Sequence, residues 1–389
     1  MLRVNNTVVQ TLLFTNKTYT RVPVNVLRIN SKVIDIGYTP IELFNLKPVN
    51  DAGEVVEESV CTAYMIGNNS EESCNGYIGQ ATEIKLPLIY NNKPIIKIGK
   101  YAFSSSKITK ISIPYTYKYI DNNAFENSEL TEFDSMLIQS IGEKAFNASK
   151  LERINLKKAL TNVGNYAFAN IDENLRYVYF NCPDLTVNQG NYIFSYSGNT
   201  QNGVDSCILE IGNDVTKLPD FMFNPDLSLT FMQDFRVSKI LLNNVKDIGI
   251  AAFAMAFHLY EVDLSNVETI KQLGFAVIPY YLENVDLYKA KEIGASAFYL
   301  CDALKTAFIN KDAEVFNNSN QPTFSSTSLT IYTDAESLPS GWNAELFANK
   351  NIVYNTTHEQ YLEIIKQPRV ATFGMNRITD NRVITLNLK

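Results

Sequence analysis

Few residues of this chain have the types and spacing that catalysis requires. The two histidines, His258 and His358, lie in unrelated contexts, and His258 sits between two large apolar residues, where an imidazole packs more often than it transfers protons. The sequence contains no G-x-S-x-G, P-loop or G-x-G-x-x-G motif. Single acids such as Asp263 and Asp286 do not make the carboxylate pair of a glycosidase. The sequence therefore predicts a non-enzymatic protein with no catalytic residues and no cofactor.

The cysteines do not have the spacing of a metal site. They lie far apart, with no C-x-x-C pair and no neighbouring histidine, at Cys61, Cys74, Cys182, Cys207 and Cys301. Zinc sites need closely spaced Cys or His ligands, so no metal is expected. Cys301 fills a position inside a repeat and is predicted to be a small buried residue. Cys61 and Cys74 are close enough in sequence to form a disulfide, but the odd count and the lack of a secretory segment favour free thiols.

Charge and hydropathy exclude two classes of partner. The 389 residues carry a formal net charge of −7, whereas a nucleic-acid-binding protein needs a basic face. The chain has no run of 18 apolar residues, so no membrane insertion is expected. Its first residues, from Met1, lack the apolar centre of a signal peptide. We expect either that a leader has been removed or that the protein reaches its destination without one.

A repeated motif, Ile-Gly-x-x-Ala-Phe, must position any site, because it organises most of the chain. Its phenylalanines recur every 21–23 residues within two groups and are predicted to form the core, at Phe103, Phe125, Phe146, Phe168, Phe253, Phe275 and Phe298. Such a period indicates a solenoid, in which each coil buries its apolar face against its neighbours. The glycine after Ile is expected at a tight corner with positive φ. Between the two groups the spacing lengthens, and Phe194 and Phe223 are the predicted counterparts.

Each copy continues into a second motif, L-x-x-φ-x-φ, where φ is apolar, as in Leu151, Ile154 and Leu156. The alternation predicts a strand with one buried face. A unit of about 22 residues with this motif falls in the range of leucine-rich repeats.

The combined pattern IGxxAF…LxxIxIP resembles the BspA-like leucine-rich repeats. Ser128 and Ser149 match the short spacer of that family, and Cys301 matches the longer one. The resemblance spans residues 75–350. It implies a leucine-rich-repeat solenoid of about ten coils, built mostly of short parallel β-strands with loops and short helical turns. It also implies adhesion or recognition, and it carries over no catalytic residues.

Three regions are predicted. Residues 1–60 lack the repeat and are expected to form a small β-rich anchoring module, residues 61–333 the solenoid, and residues 334–389 a C-terminal cap and extended tail. The start of the chain also resembles N-terminal modules of phage structural proteins, although Asn-Asn and Asn-Lys replace the usual Asn-Gly, and a generic β-arm fits equally well. Trp342 is expected to be buried in the cap. Two strand-like runs, 369–373 and 382–388, are expected to pair with the N-terminal arm or with another subunit, giving a homo-oligomer.

A binding face follows from strand geometry. Residues flanking the central φ of L-x-x-φ-x-φ point outward, on the concave surface of the sheet. The candidate binding residues in these columns are Tyr177, Tyr179, Lys239, Glu261, Asp263, Asp286 and Phe308. Exposed aromatic rings beside carboxylates suit a glycan or a protein hot spot. A solvated sheet face that binds nothing is the alternative for each residue.

The leading hypothesis is a recognition and structural protein of a phage particle, a fibre or decoration protein at the virion surface. Its N-terminal module would attach to other virion proteins, and its repeats would bind host or gut glycans or proteins. The alternative is a bacterial cell-surface adhesin with the same repeats. A third class, an intracellular scaffold, stays open for any repeat protein.

Overall fold

The computed structural model describes residues 38–171, 174–185, 192–198, 207–223, 235–317 and 321–366, and the backbone of four short strands before residue 38. The described helices are a 3-10 turn at Ile41–Leu43, α1 at Ala344–Phe347 and α2 at His358–Lys366. In chain order the strands are β1 Arg3–Val4, β2 Thr7–Val8, β3 Val26–Ile29, β4 Lys32–Asp35, β5 Leu46–Val49, β6 Ala63–Ile66, β7 Glu83–Lys85, β8 Ile89–Tyr90, β9 Lys93–Ile98, β10 Lys110–Ser112, β11 Tyr119–Ile120, β12 Glu132–Asp134, β13 Ser140–Ile141, β14 Arg153–Leu156, β15 Asn162–Val163, β16 Tyr177–Phe180, β17 Ile208–Ile211, β18 Lys217–Leu218, β19 Lys239–Leu241, β20 Asp247–Ile248, β21 Glu261–Val262, β22 Thr269–Ile270, β23 Asn284–Leu287, β24 Glu292–Ile293, β25 Thr306–Ile309, β26 Glu314–Val315, β27 Thr330–Tyr332 and β28 Asn351–Val353.

The strands of the L-x-x-φ-x-φ motif form one side of the coils, which we name the first ladder. They pair in parallel, in the orders β7-β10, β12-β14-β16-β17-β19-β21 and β23-β25-β27-β28. Along β14, Ile154 and Leu156 are buried while Arg153 and Asn155 point away from the core. The predicted solenoid of short parallel strands, with little helix, is confirmed.

A second ladder lies where the sequence predicted only a corner. The Ile or Val of each Ile-Gly step ends a strand, which has six residues in β9 and two residues in the others, and these strands pair in parallel, from β9 to β15 and from β18 to β26. The repeat glycines do not have positive φ, so that expectation is wrong. A Cβ on Gly142 would lie 2.5 Å from the amide nitrogen of Asn122 in the preceding coil. The left-handed conformation falls two residues later, at Lys144 with φ of 53°.

The repeat phenylalanines form a stack of parallel rings in the core. All seven are at most 1% exposed, and the Phe125 and Phe146 ring centroids lie 5.0 Å apart with planes inclined by 4°. The stack continues through Phe194 and Phe223, as predicted for the widened region. The sequence analysis did not identify Phe235, which packs beside both, or Phe324, which stacks on Phe298.

The solenoid has an irregular coil at each end. At the start, β5 pairs antiparallel with β6, and β6 pairs in parallel with β9, so one sheet crosses the predicted boundary at residue 60. Towards the C-terminus, Trp342 is 3% exposed and packs 4.7 Å from the Phe347 ring. The division into three regions stays a prediction, since most of residues 1–37 and the runs 369–373 and 382–388 lie outside the described residues.

Candidate binding surface

The outward side chains of six neighbouring strands of the first ladder, β12 to β21, form a continuous surface, which we name the outer face. None of them is buried, because the alternate positions on each strand fill the core. They are Glu132, Asp134, Arg153, Asn155, Tyr177, Tyr179, Ile208, Glu210, Lys239, Leu241, Glu261 and Asp263. Ile208 and Glu210 were missed from the sequence, although the apolar pair Leu209 and Ile211 marks their strand.

Tyr177 is held by its two neighbours across the ladder. The Arg153 guanidinium lies 4.5 Å from the Tyr177 ring centroid, a cation–π distance. The Tyr177 hydroxyl donates to the Glu210 carboxylate at 2.5 Å. Burial and the adjacent Glu210 carboxylate raise the pKa of Tyr177, so its phenol stays protonated. Tyr179 lies two residues further along the same strand and is half-buried. The predicted aromatic pair is therefore present on the outer face, with one ring fixed in place.

The predicted charged residues on the next coils differ in how they are paired. The Lys239 ammonium lies 2.8 Å from the Glu261 carboxylate, a partly exposed ion pair of modest strength. Asp263 accepts a hydrogen bond from the Ser265 amide at 2.9 Å. Among the described residues, no lysine or arginine forms an ion pair with Asp263.

Helix α2 packs against β23, β25 and β27 of the first ladder. Tyr361, a residue of α2, is fully buried between the helix and these strands. Its hydroxyl donates to the Val285 carbonyl oxygen at 3.0 Å. Its ring packs 5.5 Å from Phe308 and 5.6 Å from Tyr332. The tail after residue 356, expected to be extended, is thus helical over His358–Lys366.

Two predicted binding residues are covered by this helix. Phe308 has no exposed surface, which corrects its assignment to an open face. The Asp286 carboxylate accepts from the His358 Nε2 at 2.7 Å, and its side chain is 13% exposed. The His358 ring stacks on Tyr288 with centroids 4.0 Å apart. His358 of α2 therefore contacts both Asp286 and Phe308 of the ladder.

We expect Asp286→Asn to stabilise the protein near pH 7. Burial raises the pKa of Asp286 above its ordinary value, although the His358 hydrogen bond lowers it in part. An acid whose pKa is raised on folding contributes stability below its unfolded pKa, and this is lost as pH rises through the folded pKa. Thermal unfolding from pH 7 to pH 3 should show the variant losing its advantage as the native carboxylate becomes protonated. A variant whose advantage grows towards pH 3 would contradict this account.

A groove separates α2 from the last strand of the outer face. It encloses about 510 Å³ and lies where the first ladder divides, between β21 and β23. Its walls combine two half-exposed tyrosine rings, apolar side chains of α2 and four carboxylates. The lining residues are Tyr260, Glu261, Val262, Asp263, Ser265, Tyr281, Glu283, Asn284, Asp286, His358, Tyr361, Leu362 and Ile365.

The cysteines, which were also considered as reactive groups, are packing residues. All five cysteines are free thiols, and burial raises the pKa of Cys182, Cys207 and Cys301 to about 12, which disfavours the reactive thiolate. Cys301 is fully buried, as predicted.

Within the part of the chain that the structure describes, no cluster of His, Cys, Asp or Glu could hold a metal ion. None of the helices described above is long and apolar enough to cross a membrane.

The repeats match a known family. The model of the BspA type leucine rich repeat region, with six copies, matches residues 77–201 and 227–353. These ranges make up more than half of the chain, so the protein belongs to the BspA type leucine-rich-repeat family. No curated protein matches the chain.

The chain is also similar to several solved structures, each at low identity. The pneumococcal vaccine antigen PcpA is 19% identical, with 86% of this chain and 88% of that chain covered and a TM-score of 0.30. A leucine rich cell surface protein from Faecalibacterium prausnitzii A2-165 is 18% identical, with 81% and 96% covered and a TM-score of 0.37. A leucine-rich repeat protein from Eubacterium ventriosum is 16% identical, with 80% and 83% covered and a TM-score of 0.30. Such low identities indicate nothing about a ligand or an activity.

Proposed function

We propose that the protein is a non-enzymatic recognition or adhesion protein that binds its ligand on the outer face. The supporting observation is the row of twelve side chains on six strands, none of which is needed to fill the core. Solenoids use such extended ladders as binding surfaces. Tyr177 and Tyr179 lie near the middle of this row, where exposed aromatic side chains favour a binding hot spot.

The ligand class is a surface glycan or a protein. The outer face offers half-buried rings beside Arg153, Glu210 and Lys239, so it combines apolar contact with hydrogen-bonding groups. Its mixed charge does not favour nucleic acid, which would need a basic surface.

The double variant Tyr177→Ala and Tyr179→Ala tests this proposal. We expect binding to immobilised mucin glycans or to intact gut bacterial cells to fall about tenfold or more, as for central hot-spot residues. Glu292→Ala, an exposed substitution on the second ladder, is the matched control and should leave binding unchanged. Full binding by the tyrosine variant would refute the outer face as the site.

A second, more specific proposal concerns where the protein is located. We place the protein on a phage particle, attached through residues 1–60 to other virion proteins, because the start of the chain resembles phage structural modules. The alternative is a bacterial surface adhesin, which suits the repeat family as well, and an intracellular scaffold is the third class. Association of chains through residues 1–60 and the C-terminal tail belongs to the same proposal.

Quantitative mass spectrometry of purified phage particles and of host cell envelopes separates these locations. Enrichment on particles would support the virion location and direct attention to residues 1–60. Enrichment on envelopes alone would support the bacterial adhesin, and recovery only in the cytosolic fraction would support the scaffold. The binding test above does not depend on this result.

A further inference from the structure

We propose that the groove beside α2 binds a neutral sugar of a surface glycan. The Tyr281 ring would lie against the C–H face of the sugar, and the Asp263 carboxylate would accept hydrogen bonds from its hydroxyl groups. This inference rests on the proposed recognition role and deepens it, since it selects the glycan from the two ligand classes and adds a contact site at the end of the outer face.

The groove has the size and the mixed lining of a small-ligand site. Its volume of about 510 Å³ falls within the range of about 300–1,000 Å³ that is usual for such sites. Aromatic rings and aliphatic side chains such as Leu362 and Ile365 form part of its wall, and polar side chains form the rest. A sugar needs this combination, because it presents C–H groups on the faces of its ring and hydroxyl groups around the edge.

Two tyrosine rings of the groove are exposed on a fixed backbone. Tyr260 is 47% exposed and Tyr281 is 42% exposed. Their sequence neighbours Leu259 and Leu282 are buried in the core, so the backbone that carries each ring is anchored. The Tyr281 ring also contacts the Tyr280 ring edge to face, with centroids 6.1 Å apart. A tyrosine placed in this way offers flat apolar surface at a low cost in conformational entropy.

Carboxylates beside these rings supply acceptors for the hydroxyl groups of a sugar. The Asp263 carboxylate accepts from the Ser265 amide through one oxygen, and an ionised carboxylate has acceptor sites for several donors. The Glu261 side chain is 58% exposed although it pairs with the Lys239 ammonium. Hydrogen bonds to an ionised carboxylate are roughly twice as strong as those between neutral groups. The groove therefore combines flat rings with strong acceptors.

The charge of the lining favours a neutral sugar over both an acidic sugar and a cation. Four carboxylates line the groove, those of Glu261, Asp263, Glu283 and Asp286. Among the described residues, lysines pair with Glu261 and Glu283, and His358 hydrogen-bonds to Asp286. The one carboxylate left without such a partner is partly exposed and would hold a cation weakly. The same carboxylate repels an acidic sugar, because like charges at an interface suppress binding.

Binding of the full-length protein to an immobilised glycan panel tests the proposal. The panel pairs neutral oligosaccharides, such as N-acetyllactosamine, with counterparts that carry a terminal sialic acid. We expect the native protein to bind neutral members and to bind the sialylated counterparts about tenfold more weakly. Fluorescence of the labelled protein over a concentration series measures each affinity.

Three variants show whether this binding occurs in the groove. Tyr281→Ala should lower the affinity for neutral members about tenfold, as expected for an aromatic residue at the centre of a site. Tyr115→Ala is the matched control, because Tyr115 is 43% exposed and lies outside the groove, and it should leave binding unchanged. Asp263→Asn keeps an acceptor for the Ser265 amide and removes the charge. It should reduce the preference for neutral over sialylated members, a change that partial unfolding would not produce.

Several results would overturn the proposal. Equal affinities of Tyr281→Ala and the native protein for neutral glycans would exclude the groove. Absence of binding to every neutral member would exclude the sugar, and binding of a penta-arginine peptide that depends on Tyr281 would assign the groove to a basic protein segment instead. Loss of glycan binding in the double variant of Tyr177 and Tyr179, but not in Tyr281→Ala, would support the outer face alone. The proposed recognition role can thus stand when the groove fails, since binding of that double variant to intact cells tests it separately.

Discussion

Replacing Phe146 by alanine is expected to lower the free energy of unfolding by about 3–5 kcal/mol, the usual cost of removing a buried ring. Phe146 has no exposed surface and lies 5.0 Å from both Phe125 and Phe168, measured between ring centroids. Phe133 of the first ladder packs against it at 4.4 Å. The cavity would therefore open between three coils. Chemical denaturation followed by far-UV circular dichroism measures the loss.

Phe316→Ala is the matched control for this variant. The Phe316 side chain is 47% exposed, and surface substitutions usually change stability by less than about 0.5 kcal/mol. Equal denaturation midpoints for the native protein and Phe146→Ala would show that the ring stack does not hold the coils together.

Gly142→Ala is expected to destabilise the protein by about 1–3 kcal/mol, the range for overpacking a well-packed site. The added Cβ would lie 2.5 Å from the amide nitrogen of Asn122 and 2.6 Å from the carbonyl carbon of Asp121. These are backbone atoms, so relief requires the two coils to separate. The Gly142 amide donates to the Ile120 carbonyl oxygen at 2.8 Å, and this second-ladder hydrogen bond would lengthen. Thermal unfolding should show the loss of stability.

Gly274→Ala is the matched glycine control. Gly274 occupies the alanine position of its repeat, and the nearest atom to an added Cβ is the Ile270 side-chain methyl group at 2.7 Å. Other coils hold alanine at this position, as at Ala145 and Ala252. We expect a smaller effect than for Gly142→Ala, and the reverse order would contradict the close approach of backbones as the reason for the repeat glycine.

The sequence allowed the core to be predicted because its signal is local and periodic. Each copy places Ala and Phe at a fixed distance after Ile-Gly, so a period near 22 residues identifies the stacked rings in advance. The same periodicity assigned the first ladder, since φ-x-φ specifies which face is buried. The second ladder was missed because all its strands except β9 are two residues long and show no alternation. The role of the repeat glycines depends on the backbone of another coil, which one repeat does not reveal.

The binding surface was only partly predictable. The outward columns follow from strand geometry, so Tyr177, Tyr179 and Lys239 were assigned to them from the sequence. The covering of Phe308 depends on Tyr361, a contact between distant parts of the chain that no local pattern encodes. The groove arises from the same long-range packing. Whether its lining residues or those of the outer face bind a ligand stays a prediction.

The two ladders divide at different coils. The first ladder divides between β10 and β12, where β9, β11 and β13 of the second ladder run on without a break, and again between β21 and β23, where β20, β22 and β24 do so. The second divides between β15 and β18, where β14, β16, β17 and β19 of the first ladder are continuous. Under tension along the solenoid axis, force is therefore carried across each division by the other ladder and by the phenylalanine rings. Among the described coils there is therefore no plane at which both ladders end together, so shear along any one plane must break strand pairing in at least one ladder.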